Sequence, residues 1–246
     1  MRVVRGLMAA ALLTAAASPA QQGGDLQAQI LYAYETEDGN SLANLTQDLA
    51  TQVKADGGDV SLRYHLAHAE YRRGLLAAAA GREAEAAFSD CIDALKPVLS
   101  QDGKAVEALV LQSACYSGLA DHRKLESVLL RSRSDERLDT ALKLAPRNPR
   151  AVFLSSMNGL RQAKPGSVEQ QRAFAQLQLA AQLFDASPAT NIDTPGWGHA
   201  EAYLALGREL QSRADLLGAR NWIEKSLIAA PDYKAAQRQL ALLVRH

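Results

Sequence analysis

Two histidines three positions apart form the group of side chains in this sequence best suited to bind a metal ion, in the run His65-Leu66-Ala67-His68-Ala69-Glu70. On a helix this spacing places both imidazoles on one face. Zinc proteases use His-Glu-x-x-His with a third ligand, so both the spacing and the position of the glutamate differ here. We therefore interpret the histidines as a surface or helix-packing pair. We predict no catalytic residue, no metal site and no cofactor, since the sequence also lacks the nucleophile-elbow, phosphate-loop and dinucleotide motifs.

The only two cysteines, Cys91 and Cys115, fall on apolar stripes of two successive predicted helices. Each lies 12 positions from Gly103 in the intervening turn, so the two are level in an antiparallel pair. Two alternatives stay open. Either the pair forms a disulfide, which requires a Cα separation below about 7 Å, or each is a small buried residue where helices pack closely.

The first twenty residues have the layout of a secretory signal. Arg2 and Arg5 precede an apolar run over 6–17, and Ser18-Pro19-Ala20 supplies small residues at the cleavage position. A dozen apolar residues are too short to span a membrane, and no cysteine follows for a lipid anchor. The alternative is that the run forms an apolar first helix of the fold. We predict a mature chain that begins near Gln21 and is periplasmic or secreted, a compartment that permits disulfides.

Composition restricts the fold and the partners. Hydrophobic residues make up 48% and aromatic residues 5%, and the apolar share is mostly Ala and Leu, which favour helix over strand. The formal net charge of zero becomes −2 when Arg2 and Arg5 are removed, so no basic surface for nucleic acid or anionic lipid is expected. The chain is predicted to be all-helical, with no membrane insertion after signal removal.

Apolar spacing and helix-stop residues predict the order of the helices. A short helix is expected over Gln27–Tyr34 and a closing helix over Tyr233–Val244. Between these two helices, the residues expected to start or cap a helix are Ser41, Asp59, Lys104, Asn148 before Pro149, Ser167 with Gln170, and Asp215. Between them, the charged run Arg131-Ser132-Arg133-Ser134-Asp135 interrupts the apolar pattern of 120–145. We expect a two-piece insertion there instead of one straight helix.

The end of the chain resembles a tetratricopeptide repeat (TPR), a helical hairpin of about 34 residues. The residues at the consensus positions are Tyr203, Leu206-Gly207, Leu210, Ala219, Ile223 and Pro231. A partial copy has Tyr64, Ala67-His68, Tyr71, Ala84 and Phe88, with His68 where the consensus has glycine. Either this hairpin is splayed or its register is shifted. The entry 196–203, Gly-Trp-Gly-His-Ala-Glu-Ala-Tyr, is most similar to exported bacterial TPR-containing proteins.

The resemblance implies a right-handed α-solenoid of four to five antiparallel hairpins with a C-terminal capping helix. Its divisions would be a signal peptide over 1–20, an N-terminal helical hairpin over 21–58 and a TPR-like domain over 59–246. First helices of such hairpins line a concave groove, which here would carry His65, Arg72, Arg150, Arg208 and Gln211. A basic groove favours an acidic peptide or a chain terminus. The alternative is that these charges form an ordinary solvated face.

Trp197 has two interpretations. It either packs over the start of its helix or anchors a partner, because exposed aromatics concentrate binding energy. From the resemblance we predict no enzyme but a periplasmic scaffold or adaptor that binds a peptide segment or envelope protein, of unknown oligomeric state. The alternatives are an accessory solute-binding component of a transporter, which needs an enclosed apolar pocket, and a metal-dependent enzyme using His65 and His68.

Overall fold

The structure is a computed structural model that describes residues 19–56, 58–187 and 195–244. Their regular elements are α1 (Pro19–Glu35), α2 (Gly39–Ala55), α3 (Val60–Ala79), α4 (Glu85–Gln101), α5 (Val106–His122), a 3₁₀ turn (Lys124–Glu126), α6 (Ser127–Leu144), α7 (Pro149–Gln162), α8 (Val168–Ala186), α9 (His199–Ser212), α10 (Leu216–Ala229) and α11 (Lys234–Val244). Nearly all of the predicted signal segment lies outside the described residues. None of the described helices is long and apolar enough to cross a bilayer.

The helices pair as antiparallel hairpins along the chain. The pairs are α3 with α4, α5 with α6, α7 with α8 and α9 with α10, while α1 and α2 pack against α3 and α11 packs against α10. The predicted all-helical solenoid is therefore confirmed. Each hairpin buries its apolar stripes mainly against its neighbours, as in other stacked helical repeats.

Local capping follows the sequence closely. Asp59, Asn148 and Asp215 cap α3, α7 and α10 as predicted, and each side chain accepts from a backbone N–H in the first turn of its helix. Ser41 was the wrong cap for α2, because Asp38 fills that place and accepts from the Ser41 amide. The helix α1 also extends beyond the predicted Gln27–Tyr34.

Ser167 caps α8 as predicted, with its Oγ 3.2 Å from the Gln170 amide nitrogen. The reciprocal arm of the expected capping box differs, because Gln170 Oε1 accepts from the Gly166 amide at 2.7 Å. The orphan amides at this helix start are still satisfied by short-range side chains.

The predicted two-piece insertion over 120–145 was wrong. After the short 3₁₀ turn, α6 runs without a break through the charged segment. Ser134 is buried there, and its hydroxyl donates to the Ser113 carbonyl on α5 at 2.9 Å. A serine that faces a partner helix and finds an acceptor does not interrupt an apolar face, so the arginines beside it stay on the outer side.

Small residues set the closest helix approaches. A Cβ on Gly207 would lie 2.5 Å from Ile223 Cγ1 and 3.0 Å from the Ala219 carbonyl oxygen, which confirms the predicted contact of α9 and α10. In the first hairpin the corresponding close contact is at Gly74, where a Cβ would lie 2.7 Å from Phe88 Cε1. His68, at the position of the consensus glycine, lies beside Trp197, with ring centroids 6.0 Å apart.

Cys91 on α4 and Cys115 on α5 form a disulfide in the structure, with Cα atoms 6.3 Å apart. Both residues are fully buried. The separation satisfies the limit for a disulfide, so the bonded alternative is the one that the fold accommodates. The covalent link ties two neighbouring hairpins together.

Candidate functional site

Trp197 lies in the loop before α9 and packs into the interior against α3 and Arg150 of α7. It is 1% exposed, and its Nε1 donates to the Tyr64 hydroxyl at 3.1 Å. Its ring lies 6.0 Å from His68 and 6.2 Å from Tyr71, measured between centroids. Of the two interpretations of Trp197, the structure shows the packing role.

Arg72 on α3 is a buried cation. Its Nη2 lies 2.5 Å from Glu201 Oε1 on α9, and its guanidinium carbon lies 4.2 Å from the centroid of the Tyr34 ring. The Glu201 contact is a close charge pair without the alignment of a directional hydrogen bond. A charge removed from water is costly unless it has such partners. Arg72 therefore holds α1, α3 and α9 together.

Arg72 also influences the hydrogen bonding and the protonation of His68. Arg72 Nε donates to His68 Nε2 at 3.1 Å, so this nitrogen is an acceptor and is not free to bind a metal. Burial, together with the neighbouring Arg72 charge, holds the pKa of His68 well below its usual value. His65 is also buried, and in the described part of the chain no cluster of three potential ligands surrounds either histidine.

Glu201 is fixed from its other side by its own helix. Its Oε2 accepts from the Gly198 amide at 3.0 Å, which places the carboxylate at the start of α9. Gly198 has a φ of 102°, a backbone conformation that glycine adopts without strain. The Gly-Trp-Gly entry therefore positions both Trp197 and the partner of Arg72.

A second buried arginine, Arg150, lies on α7. Its Nη1 is 3.5 Å from Glu107 Oε1, and the Asn148 side chain donates to the same oxygen at 2.7 Å. Its guanidinium carbon lies 5.8 Å from the Trp197 ring centroid. Arg150 thus packs behind the tryptophan and is not on an exposed face.

The first and last parts of the solenoid meet across the concave side. The Tyr34 and Tyr233 hydroxyls are 3.5 Å apart. Beside them, Arg238 Nη1 and Nη2 donate to the two Glu37 carboxylate oxygens at 2.8 and 2.5 Å. The expected open groove is therefore closed on this side by contacts between α1, α11 and the residues beside them.

These elements border a partly open cavity of about 460 Å³, which we call the concave cavity. Its aromatic walls are Tyr34, Tyr71, Phe153, Trp197 and Tyr233, and its other lining residues include Arg72, Leu75, Met157, Leu160, Arg161, Glu201, Leu204, Ala205, Arg208, Glu209 and Ser212. A smaller cavity of about 230 Å³, the side cavity, shares five residues with it: Tyr71, Leu75, Phe153, Met157 and Arg161. The two cavities therefore adjoin along α3 and α7, and we call the pair of them the depression.

The structure brings together only some of the predicted binding residues. Arg72, Trp197 and Arg208 line the concave cavity, and of these only Arg208 is exposed. His65 and Arg150 are buried away from it. Gln211 is half-buried on α9 and accepts from the Gln239 side chain on α11.

The main exposed cation that sequence reasoning missed is Arg161. It lies 11 positions after Arg150 on α7, about three helical turns, so the two share a face. The spacing from Arg150 was the feature of the sequence that could have identified Arg161 as a residue of the same helix face. The aromatic residues Tyr34 and Tyr233 gave no such signal, because they come from opposite ends of the chain.

Glu35 follows Tyr34 at the end of α1, where the first and last parts of the solenoid meet, and its side chain is half-buried. Burial, reinforced by the Glu201 charge, raises its pKa from the ordinary 4.5 to about 7. Its charged form is therefore disfavoured in the folded state. Because the pKa of Glu35 is raised, the stability of the contacts made by the end of α1 depends on pH.

The fold defines a TPR-like α-solenoid, and two solved structures with which it aligns support this assignment. One is a thermophilic TPR protein of Thermus thermophilus, with a TM-score of 0.64 and 17% identity over 92% of this chain and all of the other. The second is the HusA haemophore of Porphyromonas gingivalis, with a TM-score of 0.64 and 21% identity over 80% of this chain and 94% of the other. No family model and no curated protein matches the sequence.

Proposed function

We propose that this chain is a periplasmic adaptor that binds a segment of a partner protein in the concave cavity and the side cavity. The fold class supports a protein-interaction scaffold. The observation that carries the proposal is the depression formed by the two adjoining cavities, with aromatic walls and exposed cations at its rim. Aromatic and arginine side chains are the types that dominate binding energy at protein interfaces.

The depression is held open by groups that are already paired. Arg72 and Glu201 neutralise each other's charge, and Trp197 is hydrogen-bonded to Tyr64. Since the walls are fixed before binding, a partner loses little affinity to ordering this surface. No catalysis is assigned to it, because the strongest candidate pair, His65 and His68, is buried and His68 Nε2 is occupied.

In-cell photo-crosslinking tests the adaptor function. The crosslinking amino acid p-benzoylphenylalanine replaces Met157, which lines both cavities and is 37% exposed. The matched control replaces Ile228 on α10, which is 80% exposed and lines neither cavity. One defined protein adduct at Met157 and none at Ile228 supports the proposal. No protein adduct at Met157 in exporting cells contradicts it.

The compartment is tested separately. Cell fractionation and the intact mass of the purified protein report where it resides and whether 1–20 is removed. A periplasmic protein whose mass corresponds to a start near Gln21 supports export. A cytoplasmic protein of full mass contradicts export and leaves the binding proposal to the crosslinking result.

A small-molecule carrier is the second candidate, because the contact of Tyr34 with Tyr233 encloses the concave cavity on one side. A structural neighbour is described as a haemophore, so hemin is a suitable probe. Stoichiometric hemin binding by absorbance, lost when Ala205 in the cavity is replaced by Trp and kept when exposed Ala229 is replaced, favours this function. Hemin binding that is equal in both variants opposes it.

A further inference from the structure

The carboxylates that line the two cavities are already neutralised. Glu201 pairs with Arg72 at 2.5 Å, and Glu209 Oε1 accepts from Arg213 Nη2 at 2.8 Å. In the side cavity, Asp121 Oδ1 accepts from Arg131 Nη2 at 2.7 Å. None of these three carboxylates is left to attract a cation on a ligand.

Two lining arginines, Arg161 and Arg208, are different. Arg161 donates to the Ser117 hydroxyl and to Asn158 Oδ1, each at 2.9 Å, and Arg208 donates to Gln239 Oε1 at 3.3 Å. All of these acceptors are neutral. Across the described ranges, neither guanidinium has a carboxylate within ion-pair distance.

Both guanidiniums also keep donors free for a ligand. A guanidinium carries five N–H groups, of which Arg161 uses two and Arg208 one in these bonds. Both arginines are exposed, so an incoming group reaches them without rearrangement of the core. Two guanidinium groups without a carboxylate in ion-pair contact therefore lie at the rim of the depression.

The surface near these charges is apolar. Leu75, Met157 and Leu160 line the concave cavity together with Arg161, while Leu204 and Ala205 line it on α9 before Arg208. A ligand that fits both features carries apolar side chains for the floor and carboxylates for the rim. Charged groups that match across an interface give specificity and faster association.

We propose that the partner segment is an acidic, apolar peptide whose carboxylates pair with Arg161 and Arg208. This inference rests on the proposed adaptor function and specifies the chemistry of its partner. The buried Arg72 and Arg150 take no part in the charge recognition, because each already has a carboxylate partner.

Selection from a phage-displayed random peptide library tests the charge preference. The baits are the full purified protein, the reversal variant R161E/R208E and the control R147E/R172E. The control residues are exposed, line neither cavity and give the same change in net charge. Because Arg161 also ties α7 to Ser117, R161Q/R208Q is included as a milder variant, and circular dichroism verifies the fold of each bait.

The expected result is enrichment of Asp and Glu beside Leu, Ile or Phe with the wild-type bait and with the control. R161Q/R208Q should lose the acidic enrichment, and R161E/R208E should select Lys and Arg instead. For one selected peptide labelled with fluorescein, loss of a charge-assisted hydrogen bond should raise Kd by about tenfold or more in anisotropy titrations. The same Kd should also rise with NaCl, since exposed ion pairs are screened.

Two results overturn the acidic assignment. One is a wild-type pool that loses binding when Ala205 is replaced by Trp but contains no excess of acidic residues. The other is acidic enrichment that survives in folded R161Q/R208Q. Either leaves peptide binding by the cavity intact. If no peptide is selected and photo-crosslinking at Met157 yields no adduct, the proposed adaptor function fails as well.

Discussion

The Arg72 guanidinium lies 2.5 Å from the Glu201 carboxylate and 4.2 Å from the Tyr34 ring, so one buried cation joins three helices. Two of those helices, α1 and α3, come from the first third of the chain, and α9 comes from its last fifth. The walls of the concave cavity depend on this contact, because all three residues line it.

Replacement of Arg72 by Met should be strongly destabilising, because it leaves Glu201 in a site that is shielded from water. The expected loss is about 3–5 kcal/mol, measured as the free energy of unfolding in urea. The double variant R72M/E201Q should recover part of this loss, since Gln can still accept from the Gly198 amide. The exposed pair of Arg220 with Glu224 is the control, and R220A should cost less than about 1 kcal/mol. Equal losses in R72M and R220A would contradict the buried-pair argument.

The disulfide should be present in exported protein and should contribute to its stability. It closes a loop with a sequence separation of 24, for which chain entropy gives about 3 kcal/mol. We expect a reductant to lower the Tm of the wild type and to leave that of the variant C91A/C115A unchanged. Two thiols that react in denaturant without prior reduction would show that the bond is absent.

Gly207 should not tolerate a side chain. A Cβ there would meet Ile223 Cγ1 at 2.5 Å and the Ala219 carbonyl oxygen at 3.0 Å, and a backbone oxygen cannot move aside easily. G207A should therefore cost about 1–3 kcal/mol through overpacking, despite the better helix propensity of Ala. At Gly103 the nearest atom would be 3.7 Å away, so G103A is the control and should be close to neutral in thermal denaturation. A G207A variant as stable as the wild type would contradict the close approach of α9 and α10.

The raised pKa of Glu35 predicts that the protein becomes less stable as the pH rises. Its pKa is raised to about 7 in the fold from the ordinary 4.5, so the folded state binds the proton more tightly than the unfolded state does. Stability is therefore lost as pH rises from about 4.5 to 7. E35Q should melt about 2–4 °C above the wild type at pH 8, a figure that allows for screening by solvent, and the gap should shrink at pH 5.

Comparison of the wild type with E35Q isolates the contribution of Glu35 to the pH dependence of stability. His65 and His68 have lowered pKa values through burial, so their contribution has the opposite sign and is lost as pH falls below about 6.5. That contribution is the same in both proteins and cancels. E136Q, at an exposed position, is the control for replacing a carboxylate by an amide, and the pH-dependent gap of E35Q should exceed that of E136Q. A gap for E35Q that is larger at pH 5 than at pH 8 would reverse the assignment.

Sequence reasoning succeeded where the interacting groups are close in the chain or share a periodic face. The caps at Asp59, Asn148 and Asp215 each bind an amide three positions ahead, so their geometry follows from local spacing. The level positions of Cys91 and Cys115 follow from counting out from one turn. The break predicted in α6 was wrong because Ser134 finds its acceptor on another helix, which local sequence does not reveal.

The sequence by itself determined the helices, the hairpin order and the small residues at Gly207 and Ala219, because these depend on propensity, capping and a regular period. Tertiary structure alone decided that Trp197 faces inward and that Arg72 is buried against Glu201. It also decided that Tyr34 meets Tyr233 to close one side of the cavity. These contacts join residues more than a hundred positions apart, and their formation depends on how the stacked hairpins curve, which no local pattern specifies.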